Sequence, residues 1–297
     1  MKTLFFPLFR VSLVCTAVCA GMIAAALRTA PILPADMIAF VSDREGNNDI
    51  FVLDIARGAI KNLTHHPAAD TSPDWSPDGT QIVFHSDRDG DSEIYVIDAD
   101  GGNVRALTFN GAYDGLPDWS PDGTQIAFIS NRDNAYDLYV MDTQGNHLRR
   151  LTTTSVDDLF PAWSPDGAQI AVSTGGVCLV WVDVVPGLIA QTRCLPEPGF
   201  ARDLSWSPDG ASLVVSSPER GDFNLYLLPA DGTAGMQQIT SGSANDLSPA
   251  WLPDGGWIVF SSDRAGQDDL YRVEVTTGQI RRLTHTPFDE RFPVWRP

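Results

Sequence analysis

The chain has 297 residues, of which 43% are hydrophobic and 9% aromatic, enough apolar side chains for a packed core. Its 20 basic and 38 acidic side chains leave a formal net charge of −18, which repels phosphate backbones and argues against a nucleic acid partner. No long like-charged or low-complexity block occurs, so a disordered arm is not expected.

The first 36 residues differ from the rest. Lys2 and Arg10 precede an uncharged apolar stretch at residues 11–27, and the alanines at 24–26 suit a signal peptidase. The stretch is long for the core of a signal peptide and near the lower limit for a membrane span. Residues 1–36 are therefore interpreted either as a signal peptide or as an N-terminal membrane anchor. Both interpretations export residues 37–297.

A tryptophan followed by a short turn sequence recurs through the remaining chain. The turn reads Ser-Pro-Asp-Gly in four copies and Leu-Pro-Asp-Gly in the fifth, and the chain ends just after the sixth tryptophan. The tryptophans are Trp75, Trp119, Trp163, Trp206, Trp251 and Trp295, at intervals of 44, 44, 43, 45 and 44 residues. Such a period with strand-like content is typical of propeller blades. We therefore predict an all-β, six-bladed β-propeller over residues 37–297, with four antiparallel strands in each blade.

Residues 71–108 show the plan of one blade. The predicted strands are residues 72–76, 81–86, 93–98 and 103–108. Pro73 lies two positions before its tryptophan, as does a proline in four other copies, and a residue without an N–H suits an edge strand. The first strand is therefore predicted to line the central channel. The middle strands are unbroken apolar runs, as expected where neighbouring blades cover both faces, and the tryptophans are expected at those contacts.

The two ends of the chain complement each other. Residues 37–44 match residues 81–88, so the chain enters the propeller at the second strand of a blade. Residues 291–295 carry the Pro-x-Trp of a first strand. We predict that three N-terminal strands and one C-terminal strand form one blade and close the ring, which removes exposed sheet edges.

Two cysteines follow the leader, and both lie in the fourth repeat. Cys178 and Cys194 flank a predicted hairpin that turns near residues 184–187, which brings them close across the strand pair. Such a pair oxidises after export, and no zinc-site spacing is present, so we predict a disulfide bond.

Acidic residues stand five positions before the tryptophan in five of the six repeats. They are Asp70, Asp114, Asp158, Asp246 and Glu290. If the first strands line the channel, these carboxylates form a ring near its mouth. Two interpretations stay open: each carboxylate caps its own loop, or the ring binds a hard cation such as Ca²⁺.

Other motifs indicate turns rather than chemistry. Ser-Asp-Arg at residues 42–44, 86–88 and 262–264 is interpreted as a turn with a local ion pair. The histidines show no metal-ligand spacing, and the sequence contains no Gly-x-Ser-x-Gly elbow, P-loop or His-Glu-x-x-His. No catalytic residue and no metal ligand is assigned.

Four recurring motifs connect the chain with a known family. Trp-Ser-Pro-Asp-Gly, Ser-Asp-Arg-x-Gly, Asp-Leu-Tyr-Val-Met-Asp and Arg-Arg-Leu-Thr resemble the repeats of the TolB-type β-propeller family over residues 37–297. The resemblance implies a role in the cell envelope, where TolB binds the peptidoglycan-associated lipoprotein and other Tol components. TolB carries an α/β domain before its propeller, whereas this leader runs directly into the propeller. Similar repeats form the non-catalytic propeller of prolyl-oligopeptidase-like peptidases, whose hydrolase domain is absent from this sequence.

We therefore expect a periplasmic or extracellular, monomeric, non-enzymatic scaffold that needs no cofactor. Its expected partner is an envelope or extracellular protein, with a ligand as the alternative. A tether through residues 11–27 and Ca²⁺ at the channel mouth are the open alternatives. The loops after the fourth strands form the candidate binding face, because exposed aromatic residues favour interfaces. Its residues are His65, His66, Phe109, Tyr113, Phe160, Phe288 and Phe292. The alternative hypothesis is a metal-dependent lyase or lactonase whose site in the channel uses the carboxylate ring.

Overall fold

The computed structural model describes residues 36–153, 155–176, 178–184, 189–194, 201–218, 221–231 and 235–297, with the backbone alone at 189–194. In these residues 24 strands form six four-stranded sheets. Residues 1–35 lie outside the described part, so the leader and its cleavage stay predictions. In the described residues no helix is long and apolar enough to cross a membrane.

Each sheet is one blade, and each blade is an antiparallel meander. Blade 1 contains β1 (Met37–Ser42), β2 (Asp49–Asp54), β3 (Ala59–Asn62) and, from the other end of the chain, β24 (Glu290–Trp295). Blade 2 contains β4 (Asp70–Trp75), β5 (Gln81–Ser86), β6 (Glu93–Asp98) and β7 (Arg105–Ala106). Blade 3 contains β8 (Asp114–Trp119), β9 (Gln125–Asp133), β10 (Ala135–Asp142) and β11 (Arg149–Arg150).

The second half of the ring repeats the plan. Blade 4 contains β12 (Asp158–Trp163), β13 (Gln169–Thr174), β14 (Cys178–Asp183) and β15 (Ile189–Cys194). Blade 5 contains β16 (Arg202–Trp206), β17 (Ser212–Ser217), β18 (Asn224–Pro229) and β19 (Gln237–Gln238). Blade 6 contains β20 (Asp246–Trp251), β21 (Trp257–Ser262), β22 (Asp269–Glu274) and β23 (Ile280–Arg282).

The predicted closure of the ring is confirmed. β24 pairs antiparallel with β1, with Trp295 opposite Ile38 and Glu290 opposite Ser42. The inner strands, which we define as β24, β4, β8, β12, β16 and β20, each contact the inner strand of the next blade, and β24 contacts β4. Each inner strand lies at the edge of its sheet. The prolines predicted for edge strands therefore occupy positions where the missing N–H has no neighbouring strand.

The Ser-Pro-Asp-Gly segments are tight turns between the first and second strands of a blade. In blade 2 the Gly79 N–H donates to the Ser76 carbonyl at 2.7 Å, and Gly79 has a φ of +64°. The Ser76 hydroxyl donates to Asp78 Oδ1 at 2.7 Å and accepts from the Gln81 N–H at 2.9 Å. A left-handed residue is needed here, which explains the glycine.

Apolar contacts between blades form the core. Trp119 at the end of β8 packs against Val83 and Ile94 of blade 2 and against Phe128 of its own blade. Trp163 packs in the same way across the next boundary. The prediction that these rings lie between blades is confirmed. Burial of each large apolar side chain contributes about 1.5–3 kcal/mol to stability, so the contacts at these boundaries are a large part of the core.

All six inner strands share one irregularity. Three residues before each tryptophan the backbone adopts a positive φ of 50–54°, and the pairing register with the second strand shifts there. The residues are Ser72, Leu116, Phe160, Asp203, Ser248 and Phe292. A left-handed conformation costs a residue with a Cβ about 1–2 kcal/mol, so the surrounding blades must hold it in place.

Candidate functional site

The central channel is a cavity of about 170 Å³. Each inner strand contributes lining residues from the three positions that precede its tryptophan, beginning with the positive-φ residue. The irregular backbone is therefore the feature that directs these residues into the channel. The channel wall is not symmetric, because the residues on either side of the recurring proline differ between repeats.

The channel wall carries both large apolar and acidic side chains. Leu116, Phe160 and Phe292 supply large apolar side chains. Asp74 and Asp118 lie on adjacent blades, and Asp203 lies on blade 5. Serines at residues 72, 205 and 248 also line the channel. This arrangement can hold a small group that has both an apolar part and a positive charge.

Asp74 and Asp118 join neighbouring blades. Asp74 Oδ2 accepts a hydrogen bond from the Trp119 N–H at 2.7 Å, and Asp118 Oδ2 accepts one from the Trp163 N–H at 2.7 Å. Burial raises the pKa of Asp74 to about 7. Burial and the charge of Asp74 raise the pKa of Asp118 well above its usual range. The two carboxylates thus repel each other when both are ionised.

Asp203 has a different environment. Its Oδ2 accepts a hydrogen bond from the Ser248 N–H at 3.1 Å and lies 3.3 Å from Arg202 Nε. Burial raises the pKa of Asp203 even though Arg202 opposes the shift. The Arg202 guanidinium also lies 5.3 Å from the centroid of the Phe160 ring. Arg202 therefore neutralises the charge of this carboxylate within the protein.

These three acidic residues are not among those predicted from the sequence. Asp74 and Asp118 come directly before their tryptophans, where other repeats have Ala162, Ser205, Ala250 and Val294. Aligning the repeats position by position would therefore have identified Asp74 and Asp118 as unusual. The predicted carboxylates recur between repeats, whereas the acidic residues of the channel occur in only some of them.

The five carboxylates of the predicted ring lie at the starts of inner strands. They are at most 1% exposed and are absent from the channel lining. Four of them pair with the arginine of a Ser-Asp-Arg or equivalent turn. Arg88 Nη2 lies 2.8 Å from Asp70 Oδ1, Arg132 Nη2 lies 2.6 Å from Asp114 Oδ2, and Arg44 pairs with Glu290. The local ion pair was expected, but the partner is the inner-strand carboxylate.

The same network includes the two remaining carboxylates. Arg264 Nη2 lies 2.6 Å from Asp246 Oδ1, and Asp158 Oδ1 accepts from the Thr174 hydroxyl at 2.5 Å. The second oxygen of all five carboxylates is buried without a hydrogen bond from any described residue. Among the described residues no group of three or more His, Cys, Asp or Glu side chains is arranged to hold a metal ion. The Ca²⁺ hypothesis stays a prediction.

We define the loop face as the side of the propeller that carries the connections between blades and those between second and third strands. The turn face carries the Ser-Pro-Asp-Gly turns and the hairpins between third and fourth strands. Of the predicted binding residues, Phe109 and Phe288 lie on the loop face and are 78% and 38% exposed. His65 is exposed there and lies 3.3 Å from Glu45, and His66 is half-buried.

The remaining predicted binding residues are not part of this exposed group. Phe160 and Phe292 lie in inner strands and line the channel. Tyr113 is half-buried, with its ring centroid 5.4 Å from Tyr136 and 5.7 Å from His85. The structure therefore divides the predicted set between the loop face and the channel. Whether these residues bind a partner stays a prediction.

His85 is a further residue that we did not select. Thr71 Oγ1 lies 2.7 Å from its Nε2, and the Leu116 N–H donates to its Nδ1 at 3.4 Å. Burial lowers the pKa of His85 to about 4, so the ring is neutral at ordinary pH. His85 positions the backbone of a channel residue and supports Tyr113.

The cysteine hairpin has the predicted register. β14 pairs antiparallel with β15, and Cys178 lies directly opposite Cys194. The side chain of Cys194 is outside the described residues, so the disulfide bond stays a prediction.

Known proteins with this architecture include both TolB and an enzyme. The structure of TolB from Acinetobacter baumannii has a TM-score of 0.74 and 20% identity, and the match covers 88% of this chain and 67% of that one. Putative TolB from Agrobacterium tumefaciens has a TM-score of 0.68 and 19% identity, with 84% and 90% covered. Oligogalacturonate lyase from Vibrio parahaemolyticus has a TM-score of 0.54 and 13% identity, with 82% and 93% covered. At these identities the likeness shows the fold alone.

Comparison with curated proteins gives no match. The family described as the TolB beta propeller domain matches residues 30–175 and 190–297. This match covers most of the chain and includes residues from all six blades. The chain belongs to the TolB beta propeller domain family.

Proposed function

We propose that this chain is an exported, non-catalytic scaffold that binds a protein partner in the cell envelope through its loop face. The observation that supports this most is the 78% exposure of Phe109. Burying such a side chain stabilises a protein or a complex by about 1.5–3 kcal/mol, and the isolated propeller lacks this contribution. A partner that covers Phe109 would recover that free energy.

The surroundings of Phe109 fit an interface. Val156 and Phe288 on the same face are 45% and 38% exposed. Tyr113 follows Phe109 in the same connection and packs edge-on against Tyr136. Aromatic residues at the centre of a polar surface are typical of binding sites, because they add apolar area at a small cost in conformational entropy.

The connections that carry these residues are held by side-chain amides. Asn47 Nδ2 donates to the carbonyls of His66 and Ala68 at 2.8 and 2.9 Å. Asn110 Nδ2 donates to Asp114 Oδ2 at 2.6 Å, and Gln267 Nε2 donates to the Thr286 carbonyl at 2.6 Å. A surface that is ordered before binding loses less entropy in the complex.

Export is supported by the apolar leader at residues 11–27 and by the family. We place the propeller in the periplasm or outside the cell, either free or tethered by the leader. Fractionation of cells that produce the full chain, followed by mass measurement of its N-terminus, would show the location and any cleavage. Recovery of the uncleaved chain from the cytoplasm would contradict the proposal.

The binding test compares two pairs of exposed apolar residues. In Phe109→Ser with Phe288→Ser the loop face loses its two exposed phenylalanines. The control pair, Val104→Ser with Leu148→Ser, is 40% and 43% exposed on the turn face. A partner captured from envelope extract would be purified and its affinity measured for each variant. We expect binding to weaken at least tenfold in the first variant only, and equal effects in both would reject the loop face.

A second candidate function is supported by Asp74 and Asp118. A pair of carboxylates with raised pKa values in a cavity is typical of acid–base or cation sites. We infer that, if the propeller is an enzyme of the lyase or lactonase type, this pair rather than the predicted ring carries the chemistry. Calorimetric titration with Ca²⁺ and Mn²⁺ would test it, with Asp74→Asn plus Asp118→Asn as the variant. Heat of binding lost in the variant would support a channel site.

A further inference from the structure

Three niches recur on the turn face, each at the boundary between two blades. Each is lined by the serine and proline of one Ser-Pro-Asp-Gly turn and by the tryptophan and glycine of the next blade. Their serine, tryptophan and glycine are Ser76, Trp119 and Gly123; Ser120, Trp163 and Gly167; and Ser164, Trp206 and Gly210. Their volumes are about 240, 260 and 460 Å³ in that order.

At the boundary between blade 1 and blade 2, an arginine of the protein itself fills the corresponding niche. Arg296 follows Trp295 and therefore occupies the position of the serine, and its side chain crosses to blade 2. Its Nε donates to the Gly79 carbonyl at 3.1 Å, and its guanidinium carbon lies 5.8 Å from the centroid of the Trp75 ring. Trp75 and Gly79 correspond to the tryptophan and glycine of the three niches.

The glycines show that the three niches have space for an arginine side chain like that of Arg296. A Cβ added at Gly79 would collide with Arg296 Nε. At Gly123, Gly167 and Gly210 an added Cβ would meet only a proline of the preceding turn, at 3.5–3.8 Å. A serine is much shorter than an arginine, so the chain's own side chain cannot fill these three niches.

The charges of the niches suit a cation. Asp122 and Asp166 each line two of the three niches, and Asp209 lines one. Hydrogen bonds from the Ser120, Ser164 and Ser207 hydroxyls come first among the causes that lower the pKa of these carboxyls, which stay ionised at neutral pH. A tryptophan ring, a backbone carbonyl and a nearby carboxylate together match a guanidinium, which stacks and donates at once.

We propose that these three niches bind arginine side chains of a basic polypeptide segment, with Arg296 showing the bound arrangement. The niches occupy three consecutive blade boundaries, so one partner segment can enter several of them. A single arginine binds weakly, but linked arginines gain effective concentration. The net charge of −18 also favours a basic partner. This inference concerns the turn face and stands independently of the proposed loop-face interface.

The test follows the indole N–H signals of the tryptophans by NMR during titration with N-acetyl-arginine amide. We expect the signals of Trp119, Trp163 and Trp206 to shift, and that of Trp75 to stay, because Arg296 covers it. In Arg296→Ala the Trp75 signal should shift as well. The citrulline analogue has nearly the same shape without the charge and should cause no shift. Equal shifts with citrulline, or no shift of the three signals, would overturn the proposal.

A pair of variants tests the carboxylate. Asp166→Asn should weaken binding at Trp163 and Trp206 about twofold to fivefold, within the range for an exposed charge pair. Asp254→Asn removes the same charge from a turn that lines none of the three niches, and it should leave the affinity unchanged. Equal weakening in both variants would mean general charge attraction and would reject the niches. Circular dichroism spectra would confirm that each variant is folded.

Discussion

The arginine–carboxylate pairs beside the inner strands make a quantitative prediction about stability. Arg132 reaches Asp114 at 2.6 Å, and the Asp114 side chain is fully buried. The Arg132 guanidinium also lies 5.0 Å from the Tyr139 centroid and 5.6 Å from that of Phe128. Arg132→Ala would leave a buried carboxylate without its arginine and two rings without their cation. Breaking a buried pair from one side costs about 3–5 kcal/mol, which we expect for this variant.

The measurement is urea unfolding, followed by circular dichroism and by tryptophan fluorescence. Arg291→Ala is the matched control, because Arg291 pairs with Asp268 and Asp289 while its own side chain is 44% exposed. An exposed pair contributes about 0–1 kcal/mol. In Arg132→Ala with Asp114→Asn the uncompensated charge is removed, so part of the lost stability should return. If Arg132→Ala and Arg291→Ala cost the same, our account of the buried network is wrong.

Three further predictions concern other parts of the propeller. Deleting residues 288–297 removes β24 and opens the ring, so we expect early unfolding and aggregation in light scattering, and an unchanged melting temperature would contradict the closure. Because burial raises the pKa of Asp74 to about 7, the folded state binds the extra proton between about pH 4 and 7, and its stability should fall as pH rises through that window. The urea midpoint at pH 5 and pH 8 measures this, and Asp74→Asn should reduce the difference. Reduction of the Cys178–Cys194 pair should cost about 3 kcal/mol in the chain-entropy model, whereas free thiols in the exported protein, detected by labelling, would exclude the bond.

The repeat made the fold predictable. Each proline, tryptophan and Ser-Pro-Asp-Gly copy acts locally, through a missing N–H, a large ring or a left-handed glycine, so its effect follows from its place in the sequence. The ring closure was predictable for the same reason, because residues 37–44 and 291–295 are complementary parts of one repeat. The site was harder to predict. Asp70 and Asp74 are both acids in one short strand, yet Asp70 is buried beside Arg88 and Asp74 lines the channel.

The spacing of the repeats in the sequence thus determines the number of blades, the strands within each blade and the joining of the two chain ends. It does so because hydrogen bonding within a blade is local. Which carboxylates line the channel, which are neutralised by arginine, and why Arg296 enters a niche depend on the packing of one blade against the next. Those contacts join residues far apart in the chain, such as Arg296 with Gly79 and Arg44 with Glu290. The channel-lining residues in turn begin at the register shift of each inner strand, and no local sequence rule specifies which way their side chains point.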